Sequence, residues 1–188
     1  MAGRCPKCKE IPEKFSLHDF YSRNIKEYHG VEVVTYRIKL SLWKCFNCNR
    51  CSALYPDFIL PFARYARDSI EKLTEKYLYS TEETYRSTVM VEKEPILHVF
   101  DGHFTDTALK HGTLWNWMSI LSRERDEVNS YVQELKEYSP QLPIFRQHVE
   151  ISVNKYRSIE RRNCLENVLF YLQIRPLWKK YRESCNFQ

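Results

Sequence analysis

Val34-Thr35-Tyr36-Arg37-Ile38-Lys39-Leu40-Ser41-Leu42-Trp43-Lys44-Cys45-Phe46-Asn47-Cys48 is the stretch on which the fold turns. In its first nine residues the even positions (Val34, Tyr36, Ile38, Leu40, Leu42) are apolar or aromatic. The odd ones between them (Thr35, Arg37, Lys39, Ser41) are polar. A period of two is that of a strand with one face in a core and one in water. This strand runs directly into Cys45-Phe46-Asn47-Cys48. Working back towards the N-terminus, Tyr28-His29-Gly30 supplies a turn, residues 13–21 are the expected partner strand, and Cys5-Pro6-Lys7-Cys8 repeats the Cys-x-x-Cys spacing.

A tight turn between two cysteines aims both sulfurs at one point, and two such turns make a tetrahedron of thiolates. The pattern therefore predicts one structural zinc ion held by Cys5, Cys8, Cys45 and Cys48 in a zinc ribbon over residues 1–55. A closed four-sulfur set leaves no position for water, which argues against hydrolytic zinc chemistry. The competing readings are four free thiols or redox pairs, and a redox pair calls for a βαβ context that the sequence lacks. Cys51 extends the register to Cys48-Asn49-Arg50-Cys51 and could replace Cys48. Cys48 is preferred, because Asn49 tolerates the left-handed backbone that a knuckle needs after its last ligand. His18 and His29 are spare nitrogen ligands that read more simply as surface or turn histidines.

Composition limits the rest. Of 188 residues, 43% are hydrophobic and 28% charged, enough for a buried core and against global disorder. The chain has only 4 glycines and no Gly-rich phosphate loop, which excludes the common nucleotide-binding motifs. The net charge of +5 is compatible with an anionic partner. No apolar run is long enough to span a membrane, and Met1-Ala2-Gly3-Arg4-Cys5 lacks a signal-peptide core. A reducing, cytoplasmic setting follows as the expectation, and there 7 cysteines suit metal binding or free thiols better than disulfides.

Beyond residue 55 the pattern turns helical. Pro61 suits a helix start, and Phe62, Tyr65, Ile70, Leu73, Tyr77 and Leu78 recur at near-helical spacing. Ser80 and Glu83 form an expected capping box for a short helix to about residue 91. Residues 96–112, with Asp101-Gly102 and Lys110-His111-Gly112, read as loop or short elements. Thr113 then caps an expected helix over 114–123, with Leu114, Trp117 and Leu121 on one face and Trp115, Asn116, Ser119 and Arg123 mostly on another. Helix, capped short helix and mixed-face helix outline a helix-turn-helix over residues 56–123. In that reading Asn116 suits adenine, and His111, Thr113 and Arg123 suit phosphates or bases. The plain alternative is a core helix whose tryptophans pack.

Residues 124–188 form the last region. A charged helix spans 124–139, ended by Pro140 and Pro143, and two basic helices follow over 144–157 and 158–174 before a break at Pro176. Arg157, Arg161, Arg162, Arg175, Lys179, Lys180 and Arg182 interleave with Tyr156, Phe170, Tyr171, Trp178 and Tyr181. Such interleaving suits nucleic acid, and equally suits solvated helix faces over buried aromatics. The expected fold class is α+β, mainly α.

Two knuckles, a strand pair and the run Tyr55-Pro56-Asp57-Phe58-Ile59-Leu60-Pro61-Phe62-Ala63-Arg64-Tyr65 together resemble an uncharacterised bacterial zinc-ribbon family related to the DNA-binding front end of transposases. The shared features are the ribbon, a PDF-x-x-P-x-x-R-Y linker and a Thr-x-x-x-Trp pattern, matched here by Thr113 to Trp117. The resemblance covers roughly residues 5–122. It departs at Lys9, where a knuckle glycine is common, and at extra residues around 92–110. It implies a double-stranded DNA-binding accessory factor or regulator of a mobile element, with a transposase or another protein as a further partner. The basic tail, with Lys179, Lys180 and Arg182, would bind phosphate or that partner. The alternatives are a protein-interaction or oligomerisation module and an RNA-binding protein. An enzyme is not expected: Asp101, Asp106, Glu124 and Asp126 are carboxylates by type only, with no sheet expected to converge them on metal ions.

Overall fold

In the computed structural model, residues 5–11, 14–61, 63–138, 141 and 151–185 are described. The fold is α+β, and the described residues are 42% helix and 29% strand. It divides into two compact units, Met1–Ser69 with Leu97–Thr107, and Ile70–Ile96 with Ala108–Gln188. These differ from the expected cuts after residues 55 and 123, because the linker and a later hairpin both return to the ribbon sheet.

The first unit is built on the quoted strand. β1 (Phe15–Tyr28) and β2 (Glu32–Cys45) pair antiparallel over almost their whole length, so both strands are longer than expected. Gly30 turns the chain between them at φ 90°, where a side chain would be strained. The outer edge of β2 is shared by two strands. β3 (Cys51–Ala53) pairs antiparallel at its C-terminal end, and β6 (Leu97–Phe100) pairs parallel with Glu32–Thr35 at the other. β7 (His103–Ala108) extends the sheet beside β6. Asp101 (φ 51°) and Gly102 (φ 77°) make the two-residue turn between β6 and β7, as an Asp-Gly pair favours.

One face of the hairpin buries Ile25 and Leu40 against Ile59 and Ala66, with Tyr21, Ile38 and Tyr55 packed around them. The alternation thus works as expected, except that Tyr36 is exposed. The helix expected from Pro61 begins instead at Arg67, as α1 (Arg67–Tyr79). The reason is local. Lys26 donates to the Arg64 carbonyl (2.9 Å) and accepts from the Ala66 amide (2.8 Å), which draws this segment onto the edge of β1.

The second unit is mainly helical. In α1, Ile70, Leu73 and Tyr77 are buried at helical spacing. Ser80 accepts from the amides of Glu82 (3.3 Å) and Glu83 (3.2 Å) as a turn, so it does not cap a helix. The cap is Thr84, in a capping box with Ser87, and the helix is the single turn α2 (Tyr85–Thr88). β4 (Met90–Val91) and β5 (Glu94–Pro95) form a small hairpin through Glu92 and Lys93, both at positive φ.

α3 (Gly112–Leu121) is followed by α4 (Arg125–Tyr138), and both pack on α5 (Ile159–Cys185). Thr113 lies inside α3 and is not its cap; His111 occupies that place and makes no side-chain cap bond. The basic helix expected over 144–157 falls largely outside the described residues, and Val153–Lys155 form a 3-10 turn. α5 runs through Pro176, where a break was expected. Proline costs a helix interior about 3 kcal/mol, and packing on both sides offsets it: Tyr131, Leu135 and Ile174 form a core that Phe170, Trp178 and Tyr181 flank. Among the described residues, no helix is long and apolar enough to cross a membrane.

Candidate functional site

The two Cys-x-x-Cys turns are copies of one geometry. In the first, the Lys9 amide donates to the Cys5 carbonyl (2.8 Å), Cys5 donates to the Glu10 carbonyl (2.8 Å), and Lys9 stands at φ 66°. In the second, the Asn49 amide donates to the Cys45 carbonyl (2.8 Å), Cys45 donates to the Arg50 carbonyl (3.0 Å), and Asn49 stands at φ 59°. Each knuckle therefore closes with a left-handed residue straight after its second cysteine, as expected at Asn49. Lys9 takes the same conformation without the freedom of a glycine.

The hairpin brings the knuckles together, because Phe15 at the start of β1 pairs with Cys45 at the end of β2. The sulfurs of Cys5, Cys8, Cys45 and Cys48 all lie within 4.8 Å of one another, so the four can hold one metal ion. Cys5 and Cys45 are buried, and Cys8 and Cys48 half-buried. Cys51 sits in β3 opposite Lys44 and is not part of the group. His29 lies at the hairpin turn, where Tyr36 Oη meets its Nε2 at 3.1 Å, at the opposite end of the strands.

The sulfurs are electrostatically coupled. Backbone amides of Cys8 and Lys7 stabilise the Cys5 thiolate and bring its pKa down to about 6. At Cys8 the Glu10 amide acts in the same direction, but burial and the three neighbouring sulfurs outweigh it and push the thiol up to about 12. Four sulfurs this close cannot all ionise without a cation among them, and a cation that binds must displace protons. Among the described residues, this is the one group of three or more His, Cys, Asp or Glu side chains placed to hold a metal ion.

The residues expected to read DNA divide into two sets. In α3, Leu114, Trp117, Met118 and Leu121 are buried, whereas His111, Asn116 and Arg123 are exposed and Thr113 and Ser119 are half-buried. Trp115 is 39% exposed, but the Arg161 guanidinium of α5 lies 3.6 Å from its ring centre, so its face is already taken. The helix-turn-helix expected over residues 56–123 is interrupted by more than a long turn. The β4–β5 and β6–β7 hairpins both lie in the chain between α2 and α3.

In α5, Lys180 and Arg182 are exposed and Lys179 is half-buried. The interleaved aromatics belong to the core: Trp178 stacks on Tyr131 at 4.2 Å and donates to Glu134 at 2.7 Å, and Tyr181 lies 4.5 Å from Tyr138. Arg175 is buried in an ion pair with Glu71 (2.7 Å), which also accepts from Tyr171 (2.8 Å). The tail thus offers a short basic strip in place of the aromatic-basic surface its composition suggested.

The polar face of the ribbon sheet is a feature the sequence only half revealed. Register places Ser22, Asn24 and Lys26 of β1 beside Lys39, Arg37 and Thr35 of β2, with Phe100 of β6 next to Thr35. A concavity of about 690 Å³ opens beside it, lined by Lys26, Arg64, His98, Phe100, Thr105 and neighbours, with no carboxylate; its lining also takes in Arg23, which register sets opposite Ile38 on the core face. Tyr65 reaches His98 Nε2 (3.1 Å), and Lys26 Nζ lies 3.5 Å from His98 Nδ1. Burial lowers the Lys26 pKa, with Arg64 adding to the effect, and burial and Lys26 lower that of His98. The odd residues of β2 were visible in the sequence, but their partners on β1 and β6 were not.

Residues 5–92 match a family described as "Domain of unknown function (DUF6431)". The match begins at the first cysteine of the first Cys-x-x-Cys turn and ends in the β4–β5 turn, taking in the Pro56–Tyr65 linker. No curated protein matches the chain, and no solved structure does.

Proposed function

We propose that this protein is a zinc-containing, double-stranded DNA-binding factor of a bacterial mobile element, acting in the cytoplasm as an accessory or regulatory protein. The metal is zinc. A tetrahedron with metal–sulfur bonds of about 2.3 Å has edges of about 3.8 Å, and the Cys5–Cys48 and Cys8–Cys45 sulfurs stand 3.8 and 3.9 Å apart. With four thiolates the site is closed, so the ion orders the ribbon and takes no part in a reaction.

The observation that carries the DNA reading is the division of α3. Its apolar residues are buried, while His111 stands exposed at its N-terminus, Asn116 in its second turn and Arg123 just beyond its C-terminus. A helix presented this way can enter a major groove, where an asparagine pairs with adenine in two hydrogen bonds. Lys180 and Arg182 on α5 add phosphate contacts. The resemblance of the ribbon and linker to transposase front ends supports the mobile-element setting. A catalytic role is not proposed, since Asp101 and Asp106 belong to the first unit and Glu124 and Asp126 to the second.

Binding of duplex DNA from the gene's own neighbourhood, across a salt series, tests this reading. Affinity should fall steeply with salt, and a specific site should survive competitor DNA. Asn116→Ala should relax specificity, whereas Lys180→Ala should weaken all sequences alike. No binding at low salt would refute it and favour an interaction module. Elemental analysis should find one zinc per chain in the wild type and in Cys51→Ser, and loss of zinc in Cys45→Ser.

A further inference from the structure

The polar face of the ribbon sheet has three properties that belong together. It is cationic, with Lys26, Arg37 and Lys39 on adjacent strands and Arg64 at the rim of the concavity. It lacks opposing charge, since the β1 and β2 positions on this face hold no carboxylate and neither does the concavity lining. It also carries exposed aromatic rings. Phe20 pairs with Ser41 on this face and is 55% exposed, and Phe100, next to Thr35, is 56% exposed.

A surface phenylalanine loses free energy in water, and cations crowded without acids repel one another. The groups Lys26 meets, the Tyr65 ring at 5.7 Å and His98 Nδ1 at 3.5 Å, are neutral, and no carboxylate on this face of β1 and β2 neutralises the cations. Phosphates relieve the second and stacked bases the first, and a single strand offers both at once because its base faces are open. In duplex DNA the faces are stacked on one another and unavailable.

From these juxtaposed residues we infer that the open face of the ribbon sheet binds single-stranded DNA, with Lys26, Arg37, Lys39 and Arg64 on the phosphates and Phe20 and Phe100 as stacking platforms. Phe20 lies six residues along β1 from Lys26, and Phe100 two strands across from it. That separates the rings by roughly 20 Å along the strands and roughly 10 Å across them. A mononucleotide cannot reach both, so the ligand is a strand. Asn24, Thr35, Thr105 and Thr107 supply hydrogen bonds within the concavity. The choice of DNA over RNA rests on the proposed function; the site itself does not depend on α3.

The test is fluorescence anisotropy on the full zinc-loaded chain with labelled oligo(dT), oligo(rU) and duplex DNA. Oligo(dT) should bind, and Phe20→Ala and Phe100→Ala should each weaken it roughly 5-fold or more, leaving duplex affinity unchanged. Both rings are exposed, so these variants fold. Arg37→Ala should reduce the salt slope for oligo(dT) by about 0.7, the value of one released phosphate contact on a single strand. Asn116→Ala should leave oligo(dT) binding intact. Oligo(dT) affinity unchanged in the Phe20→Ala/Phe100→Ala double variant, or no binding at low salt, overturns the site. Tighter binding of oligo(rU) overturns the assignment to DNA. If oligo(dT) binds through this face while duplex DNA does not bind at all, the inference stands and the duplex reading falls.

Discussion

Removing the metal should unfold the ribbon and leave the helical unit standing. The hairpin core consists of Ile25, Leu40, Ile59 and Ala66, with partly buried neighbours. Fully burying a large aliphatic side chain contributes about 1.5–3 kcal/mol, so the three large ones supply roughly 5–9 kcal/mol. Structural zinc in small modules contributes about 10–16 kcal/mol of apparent binding energy, all of it available only to the folded state. The metal term is therefore the larger of the two. Its location reinforces this, because the four cysteines tie together the strand ends that the turn at Gly30 cannot reach. The second unit has a core of its own around Leu114, Met118, Leu165 and Leu172, each 3% exposed or less. The assay is hydrogen exchange resolved by segment, before and after chelation at neutral pH. Amides of residues 15–45 should lose protection, and those of α3 and α5 should keep it. Persistent protection of residues 15–45 in metal-free protein would show that the apolar core holds the hairpin alone, and would refute the reasoning.

Three further outcomes follow from particular contacts. Arg175 is 2% exposed and paired with Glu71, so Glu71→Ala should destabilise the second unit by about 3–5 kcal/mol in denaturant titrations. The double change Glu71→Leu with Arg175→Met should recover most of that loss, and a single-variant cost under about 1 kcal/mol would contradict the pairing. Lys9 holds a left-handed backbone at φ 66°, which costs a non-glycine residue about 1 kcal/mol or more. Lys9→Gly should thus tighten zinc roughly 5-fold in competition with a chelator, and unchanged affinity would count against it. Burial and the Lys26 ammonium hold His98 below its ordinary pKa, so the folded protein resists a proton that the unfolded chain accepts near pH 6.5. Its contribution to stability is whole above about pH 6.5 and is lost as pH falls through the window below. His98→Gln should accordingly flatten the fall of Tm between about pH 7 and pH 5.5, and an identical slope in both proteins would refute this.

The Cys-x-x-Cys turns and the β2 strand were legible because their signals are local. Two cysteines three apart, or five alternating apolar residues, need no distant partner to be understood. Asp101-Gly102 was visible too, but the flanking residues 97–100 and 103–108 read only as loop or short elements. Their pairing with Glu32–Thr35 spans more than half the preceding chain, and only the folded sheet makes it. The caps differ by small steps: the cap of α2 is Thr84, four residues beyond Ser80, and that of α3 is His111, two before Thr113, with no side-chain bond to mark it. Pro176 misled for a different reason. A proline break is a local rule, and the stack of Trp178 on Tyr131 beyond it is a tertiary override.

The single-strand face shows most clearly what a pattern within one strand cannot contain. On β2 the odd residues form the polar face, and simple alternation on β1 would have to be matched to it by register. That register shifts between Leu17 and Asp19. Before the irregularity, odd-numbered Leu17 lies opposite Trp43; after it, even-numbered Phe20 lies opposite Ser41 and Lys26 opposite Thr35. A bulge changes which parity faces which side, and every later side chain on the strand follows. Without that extra residue Phe20 and Lys26 would turn to the opposite face, where Ile25 and Leu40 now form the core. The cationic face would then hold only β2's share. The aromatic and basic residues thus meet because of one inserted position at His18, which the sequence presents as nothing more than a spare histidine.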